Sequence, residues 1–460
     1  MSESLSPVSG ARAGRLAQPL LRFEQLIEVF AELERPATEF KIGAESEKFG
    51  VHRQTGAPLS YEGNFGVLRV LDALRRQGGF AAHTEYPGGP VIALKRDGAS
   101  ITLEPGAQLE LSGAPLADLH AVQDELRTHW AELAPISEAL DIRWLPVGFH
   151  PLATQAELPW VPKQRYAIMR EYLPTRGNGA LDMMRRTATV QGNFDWSSER
   201  DALSKLVTSL KLAPLLHVMT ANAPWVEGTP SGLLSQRGDV WRRMDPSRSG
   251  LIPELWTGTP SYATYAEWAL DAGMFFVRRE GRLIENTGQT FRSFMADGYQ
   301  GERACLGDWV NHLNTLFPEA RLKGTLEIRP IDSLPPALNM AALALLTGLL
   351  YDAVALSEAQ AVVAHFDYAG VEDARPRLLR EGLAAHYFGR PAQTWALELL
   401  GIARRGLERR ARLDAAGKSE AVYLDALEAL TESGRCPADV LLADNPTREE
   451  FLKRATVDAV

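Results

Sequence analysis

The chain has 460 residues, 45% of them hydrophobic, which is ample for a large core in one domain or two closely packed ones and excludes disorder as the default reading. A formal net charge of -9 and a sequence pI near 5.6 argue against a general nucleic-acid or anionic-membrane surface and favour small-molecule partners. The two cysteines, Cys305 and Cys436, can build neither a disulfide framework nor a cysteine zinc site, so a reducing compartment is expected, taken as the cytoplasm.

Residues 1–19 carry Arg12 and Arg15 among small residues without the apolar core of a secretory signal. They read as a flexible N-terminal segment ahead of one domain over 20–460. Apolar residues at helical spacing predict a helix over Leu20–Glu34, closed by Pro36. Strand-like runs follow over Thr38–Val51 and Val91–Ser112. The second folds back at Arg96-Asp97-Gly98-Ala99, where Asp-Gly is a hairpin signal. Leu116–Leu140 reads as a long helix and Ile142–Phe149 as a strand; Pro159–Pro174 reads as turn-rich, Thr187–Asp195 as a strand and Ser198–Ala221 as an amphipathic helix. The most apolar stretch, Leu334–Leu356, contains Asn339 and Asp352 and opens on Pro335-Pro336. It predicts a buried core helix bounded at Tyr351-Asp352, not a membrane span. The region 334–460 is expected to be mostly helical. The fold class is α+β, a mainly antiparallel sheet with helices outside it.

The strand period of two sorts four of these runs into an apolar and a polar face. Glu45 and Glu47 lie opposite Phe40, Ile42 and Ala44. Glu104, Gln108 and Glu110 lie opposite Leu103, Leu109 and Leu111 if Ile101–Ser112 is one strand bent at Pro105-Gly106. Thr189, Gln191, Asn193 and Asp195 lie opposite Val190 and Phe194, and Arg321, Lys323, Thr325, Glu327 and Arg329 opposite Leu322, Leu326 and Ile328. A solvated face is the common fate of one such strand. Four together suggest a shared cavity, in which Glu45, Glu47, Glu110 and Glu327 would repel one another without a cation. Mg²⁺, an oxygen-seeking ion that shares ligands with nucleotide phosphates, fits that need. The nine histidines never reach zinc-motif spacing, and there is no Walker-type glycine loop. Arg185, Arg186, Arg237, Arg248 and Arg292 are candidates to hold carboxylates or phosphates.

The run Ile42–Gly50 resembles the metal-binding strand of glutamate-cysteine ligases, and Ser100–Pro115 resembles the next strand of the plant and proteobacterial type. The resemblance continues through Arg165–Arg170, Leu181–Asn193, Thr287–Arg292 and Phe317–Lys323, in family order over nearly the whole chain. It implies a funnel-shaped antiparallel sheet related to glutamine synthetase that uses ATP and Mg²⁺. It further implies a metal site of Glu45, Glu47, Glu110 and Glu327; glutamate contacts from Met184, Arg186, Arg237 and Trp241; ATP contacts from Gln191, Lys323 and Arg329; and catalytic roles for Glu47 and Arg329. The implied reaction joins the γ-carboxylate of glutamate to the amine of cysteine through a γ-glutamyl phosphate, the first step of glutathione synthesis. A γ-glutamyl ligase for another amine, or an ergothioneine-pathway relative, would share this machinery; a silent nucleotide- or glutamate-binding regulator would have no need of the repelling carboxylates. The chain departs from the plant pattern at Ala188, where those relatives carry cysteine, and after Arg329, where Pro330-Ile331-Asp332-Ser333-Leu334 replaces Gly-Ala-Asp-Gly-Gly.

Overall fold

The period-two runs do form one sheet in the computed structural model, which describes residues 14–457. Its nine strands are β1 (Ile42–His52), β2 (Ala81–His83), β3 (Ala93–Arg96), β4 (Ala99–Leu103), β5 (Leu109–Ser112), β6 (Ile142–Leu145), β7 (Val190–Phe194), β8 (Ala320–Leu322) and β9 (Leu326–Ile328). Their order is β8-β9-β7-β1-β5-β4-β3-β2, with β6 pairing the far end of β1, and every pairing is antiparallel. β1 is long enough to serve both ends: residues 42–48 pair with β7 and β5, residues 49–52 with β6.

The Asp97-Gly98 hairpin forms as expected, with positive φ at both residues (50° and 85°), as a two-residue turn between right-twisted strands requires. Pro105-Gly106 does more than bend a strand. The chain reverses there, so Ile101–Ser112 is two neighbouring antiparallel strands, with Thr102 opposite Glu110. The reversal is closed by Glu104 N–H to Gln108 O (2.9 Å) and by Ala107 at φ 66°.

The helices pack outside this sheet. They include α1 (Glu24–Ala31), α2 (Val67–Gln77), α3 (Leu119–Ala139), α4 (Gln164–Tyr172), α5 (Ala180–Arg186), α6 (Glu199–Met219), α7 (Gln236–Arg242), α8 (Pro336–Leu350), α9 (Ala353–Val363), α10 (Tyr368–Glu381) and α11 (Ala392–Arg410). Capping fixes several starts: Asp118 accepts the Ala121 amide, Ser198 that of Asp201 and Ser235 that of Gly238. α2 and α4 were not anticipated. The first carries a clear helical stripe at Val67, Val70, Leu71 and Leu74; the second lies between prolines in a stretch that reads as turns.

α8 is the core helix expected from its composition: every residue from Asn339 to Leu350 is buried, and the chain bends by 94° into α9 at Tyr351-Asp352. Glycine lets α11 cross it closely, since a Cβ at Gly406 would lie 2.1 Å from the Gly348 carbonyl oxygen. α6 is also apolar and long enough to cross a bilayer, but it too is buried in the core. Of the expected N-terminal segment, residues 1–13 lie outside the described residues; Pro19 bridges to Cys305.

Candidate active site

Residues directly opposite one another in an antiparallel pair share a face. The register places Glu47 opposite Glu110, Glu45 opposite both Ser112 and Gln191, and Glu327 opposite Asn193 and Arg321. Glu45 and Glu47 of β1, Glu110 of β5 and Glu327 of β9 therefore project from one face of the sheet, and none is more than 6% exposed. The other face, with Ile42, Ala44, Leu109, Leu111, Val190 and Leu326, joins the hydrophobic core. Lys48 points to that apolar side, its ammonium 5.3 Å from the Trp130 ring centroid, and burial pulls its pKa down to about 7.

The carboxylates fall into two environments. Burial raises the pKa of Glu47 well above the ordinary range, and the neighbouring Glu104 and Glu110 carboxylates raise it further. Glu110 is held by the Thr102 and Ser112 hydroxyls, which act against burial and help to keep its pKa lowered to about 2; Glu47 accepts the Thr189 amide at 3.0 Å. Glu45 is raised by burial, with Lys323 acting against that. Glu327 is different. Burial opposes its charge, but Arg321, Lys323 and Arg329 surround it and hold its pKa well below the usual range. Arg321 Nε lies 2.6 Å and Arg329 Nη1 2.8 Å from its Oε2, and Lys323 Nζ pairs with its Oε1.

Beside the acidic strands lies a pocket lined by Glu47, Glu104, Gln191, Thr189, Arg237, Trp241 and Arg329, with Met169, Met183 and Met184 as its apolar wall. Arg329 donates to Gln191 and Glu327, and its guanidinium packs near the rings of Trp241 (5.3 Å) and Phe317 (5.9 Å). Arg237, on α7, is 2% exposed and donates Nη2 to the Arg329 carbonyl at 2.8 Å. Its Nε and Nη1, and Trp241 Nε1, have no hydrogen-bond partner among the described residues. Buried donors left unpaired are costly, and a carboxylate would satisfy them.

Of the expected site residues, the structure brings Glu47, Met184, Gln191, Arg237, Trp241 and Arg329 to this pocket, with Glu45, Glu110, Glu327 and Lys323 on the adjoining sheet face. Arg186 lies outside that lining; it pairs with Asp182 (3.4 Å) and Glu227 (3.1 Å) over the Phe149 ring. Arg185 stacks on Trp160, Arg248 is locked to Asp245, and Arg292 pairs with Glu267 and Asp271 on the surface. Glu104, Gln108, Met169 and Met183 line the pocket without having been assigned a role. Gln108 ties the β4–β5 turn to the end of α5, donating to Thr187 O at 2.8 Å and Met184 O at 3.3 Å. Among the described residues no three acidic, histidine or cysteine side chains converge closely enough to hold a metal as they stand. The donor chemistry nevertheless fits a hard cation: Glu47, Glu104 and Glu110 offer carboxylate oxygens whose mutual repulsion a divalent ion would relieve.

A family profile described as Glutamate-cysteine ligase family 2 matches residues 41–458. The chloroplastic glutamate-cysteine ligase of Arabidopsis thaliana is 37% identical over 428 residues, covering 92% of this chain and 80% of the relative. Chloroplastic glutamate-cysteine ligase A of Oryza sativa subsp. indica is 37% identical over 433 residues, covering 94% and 86%. The crystal structure of the Francisella tularensis glutamate-cysteine ligase in complex with AMP shares the fold at a TM-score of 0.57 and 12% identity, covering 90% of this chain and 87% of that one. These relatives correct the cytoplasmic expectation, since the similar plant enzymes are chloroplastic. Scarce cysteine speaks only against a disulfide framework and does not choose among compartments. With the profile spanning most of the sequence and the acidic sheet face in place, the chain belongs to glutamate-cysteine ligase family 2.

Proposed function

We propose that this chain ligates the γ-carboxylate of glutamate to the amine of cysteine, using ATP and Mg²⁺ and passing through γ-glutamyl phosphate. The observation that carries this reading is one pocket in which Glu47 and Glu104 meet the unpartnered donors of Arg237 and Trp241. A carboxylate is a poor acylating agent, so it must first become an acyl phosphate. One of its oxygens attacks the γ-phosphorus of ATP and ADP leaves; the amine then attacks the acyl carbon, phosphate leaves, and the nitrogen gives up a proton.

Arg237 and Trp241 bind glutamate, with Met184 against its aliphatic stem. Arg329, Lys323 and Gln191 meet the nucleotide phosphates, and Arg329 offers its planar fork to charge on the transferring phosphoryl group. Glu45, Glu47, Glu110 and Glu327 hold magnesium, joined by Glu104, which the turn at Pro105-Gly106 brings beside Glu47. The bound metal supplies charge neutralisation of the triphosphate oxygens. The methionine wall keeps water from the acyl phosphate, which would otherwise hydrolyse.

The reading is tested by ADP release from purified protein with Mg²⁺, ATP and glutamate, adding cysteine or other amines and identifying the product by mass. Cysteine-stimulated release with γ-glutamylcysteine formed is the expected result. Stimulation by a different amine alone would overturn the assignment of the acceptor, and no turnover with any amine would overturn the ligase reading.

A further inference from the structure

Asp332 lies in the loop after β9, where the chain departs from the plant pattern, and is 1% exposed. Its Oδ2 accepts the Asn222 amide at 2.8 Å and its Oδ1 the Ser235 hydroxyl at 3.0 Å. Ser235 is the N-cap of α7: its Oγ accepts the Gly238 amide at 3.0 Å. One carboxylate thus joins the β9 loop, the segment after α6 and the start of the helix that carries Arg237. The fit is close. A Cβ at Gly148 would come within 2.4 Å of the Asp332 carboxyl carbon, so that position tolerates only glycine beside it.

The hydrogen bonds just described come from neutral donors, and the nearest cation is Arg237, whose Nη1 lies 3.8 Å from Oδ1. Of the other buried carboxylates that Arg237 feels, Glu319 is already engaged by Arg375 and by His217 at 3.3 Å, and Glu47 accepts the Thr189 amide. Arg237 therefore has three restraints of different kinds: its Nη2 bond to the Arg329 carbonyl, the capped helix start, and the charge of Asp332. Nε is touched by none of them, and Nη1, the atom nearest Asp332, makes an ion pair but no hydrogen bond.

We propose that Asp332 is a positioning residue for glutamate binding: it fixes the start of α7 and, through its charge beside Nη1, holds the Arg237 guanidinium in the pocket wall with Nε free of any hydrogen bond. The inference rests on the reading of Arg237 as the glutamate-binding arginine. Asp332 touches no substrate; its effect passes through Arg237, and this separates it from a residue that merely stabilises the fold.

The test is a double-mutant cycle of Asp332→Asn and Arg237→Ala, with initial rates against glutamate and ATP and a thermal unfolding curve for each protein. Asp332→Asn is expected to raise the glutamate KM about tenfold with kcat and the ATP KM changed less than about threefold, and to add under about twofold once Arg237 is gone. Equal loss in every kinetic constant, or effects that multiply independently, would overturn the proposal by making Asp332 a structural residue only. An unchanged glutamate KM in Arg237→Ala alone would overturn the underlying assignment of Arg237, and the proposal with it. Should Asp332→Asn fail to fold, Ser235→Ala breaks the same carboxylate's hold on α7 and takes its place in the cycle, with the same criteria.

Discussion

Glu47 and Glu110 stand directly opposite each other across β1 and β5, both buried, each held by neutral donors. Two carboxylates so placed resist ionising together, and the β1–β5 register gives neither of them another face to turn to. Replacing Glu47 with Gln keeps the shape and removes one of the repelling charges. Turnover is expected to fall by at least about a thousandfold, while the melting temperature of the metal-free protein stays equal or rises. Retained activity in ADP release would dismiss Glu47 as a metal ligand.

Magnesium should also report on the site without any turnover. A ligand that binds only the folded state raises its stability by mass action, so adding Mg²⁺ is expected to raise the melting temperature of the parent protein and to do so far less in Glu47→Gln and Glu110→Gln. An equal rise in all three would place the ion elsewhere. Chelation with EDTA should abolish ADP release, and restored Mg²⁺ should return it.

Arg329 is the guanidinium shared by both halves of the site, bonded to Glu327 and Gln191 and packed near the rings of Trp241 and Phe317. Lysine would keep its charge and lose the planar fork. Arg329→Lys is therefore expected to lower kcat by about 10²–10³ with the glutamate KM little changed. A variant that lost glutamate affinity and kept kcat would mark Arg329 as a substrate-binding residue instead.

The polar faces of β1, β7 and β9 were legible because a strand alternates with a fixed period, and Glu45, Glu47, Gln191 and Glu327 could be placed on one surface before any coordinates. Glu104 was harder. Its orientation depends on a chain reversal, and Pro-Gly allows a bend or a turn alike until the pairing of Thr102 with Glu110 decides. The roles of Glu319, Asp332 and Gln108 were not legible at all, since each is defined by partners more than 50 residues away, such as Arg375, Ser235 and Thr187. Arg186 shows the converse limit: adjacency to Thr187, which lines the pocket, does not bring its side chain there, because it pairs with Asp182 and Glu227 over the Phe149 ring.

Buried histidines give the fold an acid sensitivity that can be assigned residue by residue. His312, on the short helix Leu306–Leu313, is buried against Phe291 and Trp309, and its Nε2 lies 2.8 Å from the Ala269 carbonyl. Burial pulls its pKa down to about 3, with the Arg248 charge adding to the effect. Folded His312 is then neutral at pH 5, whereas the unfolded chain binds the proton from about pH 6.5 downward, so unfolding takes up a proton and stability falls as the pH drops through that window. From pH 7 to pH 5 the loss is about 2 kcal/mol for this one residue. His312→Gln, whose amide can still donate to Ala269, removes the titrating group: it is expected to be less stable than the parent at pH 7 through lost packing, with the gap narrowing by about 2 kcal/mol at pH 5. Urea unfolding of both proteins at the two pH values measures this directly. A gap that stays constant between pH 7 and pH 5 would mean that folded His312 takes up its proton over the same range as the unfolded chain, so that burial does not hold it neutral.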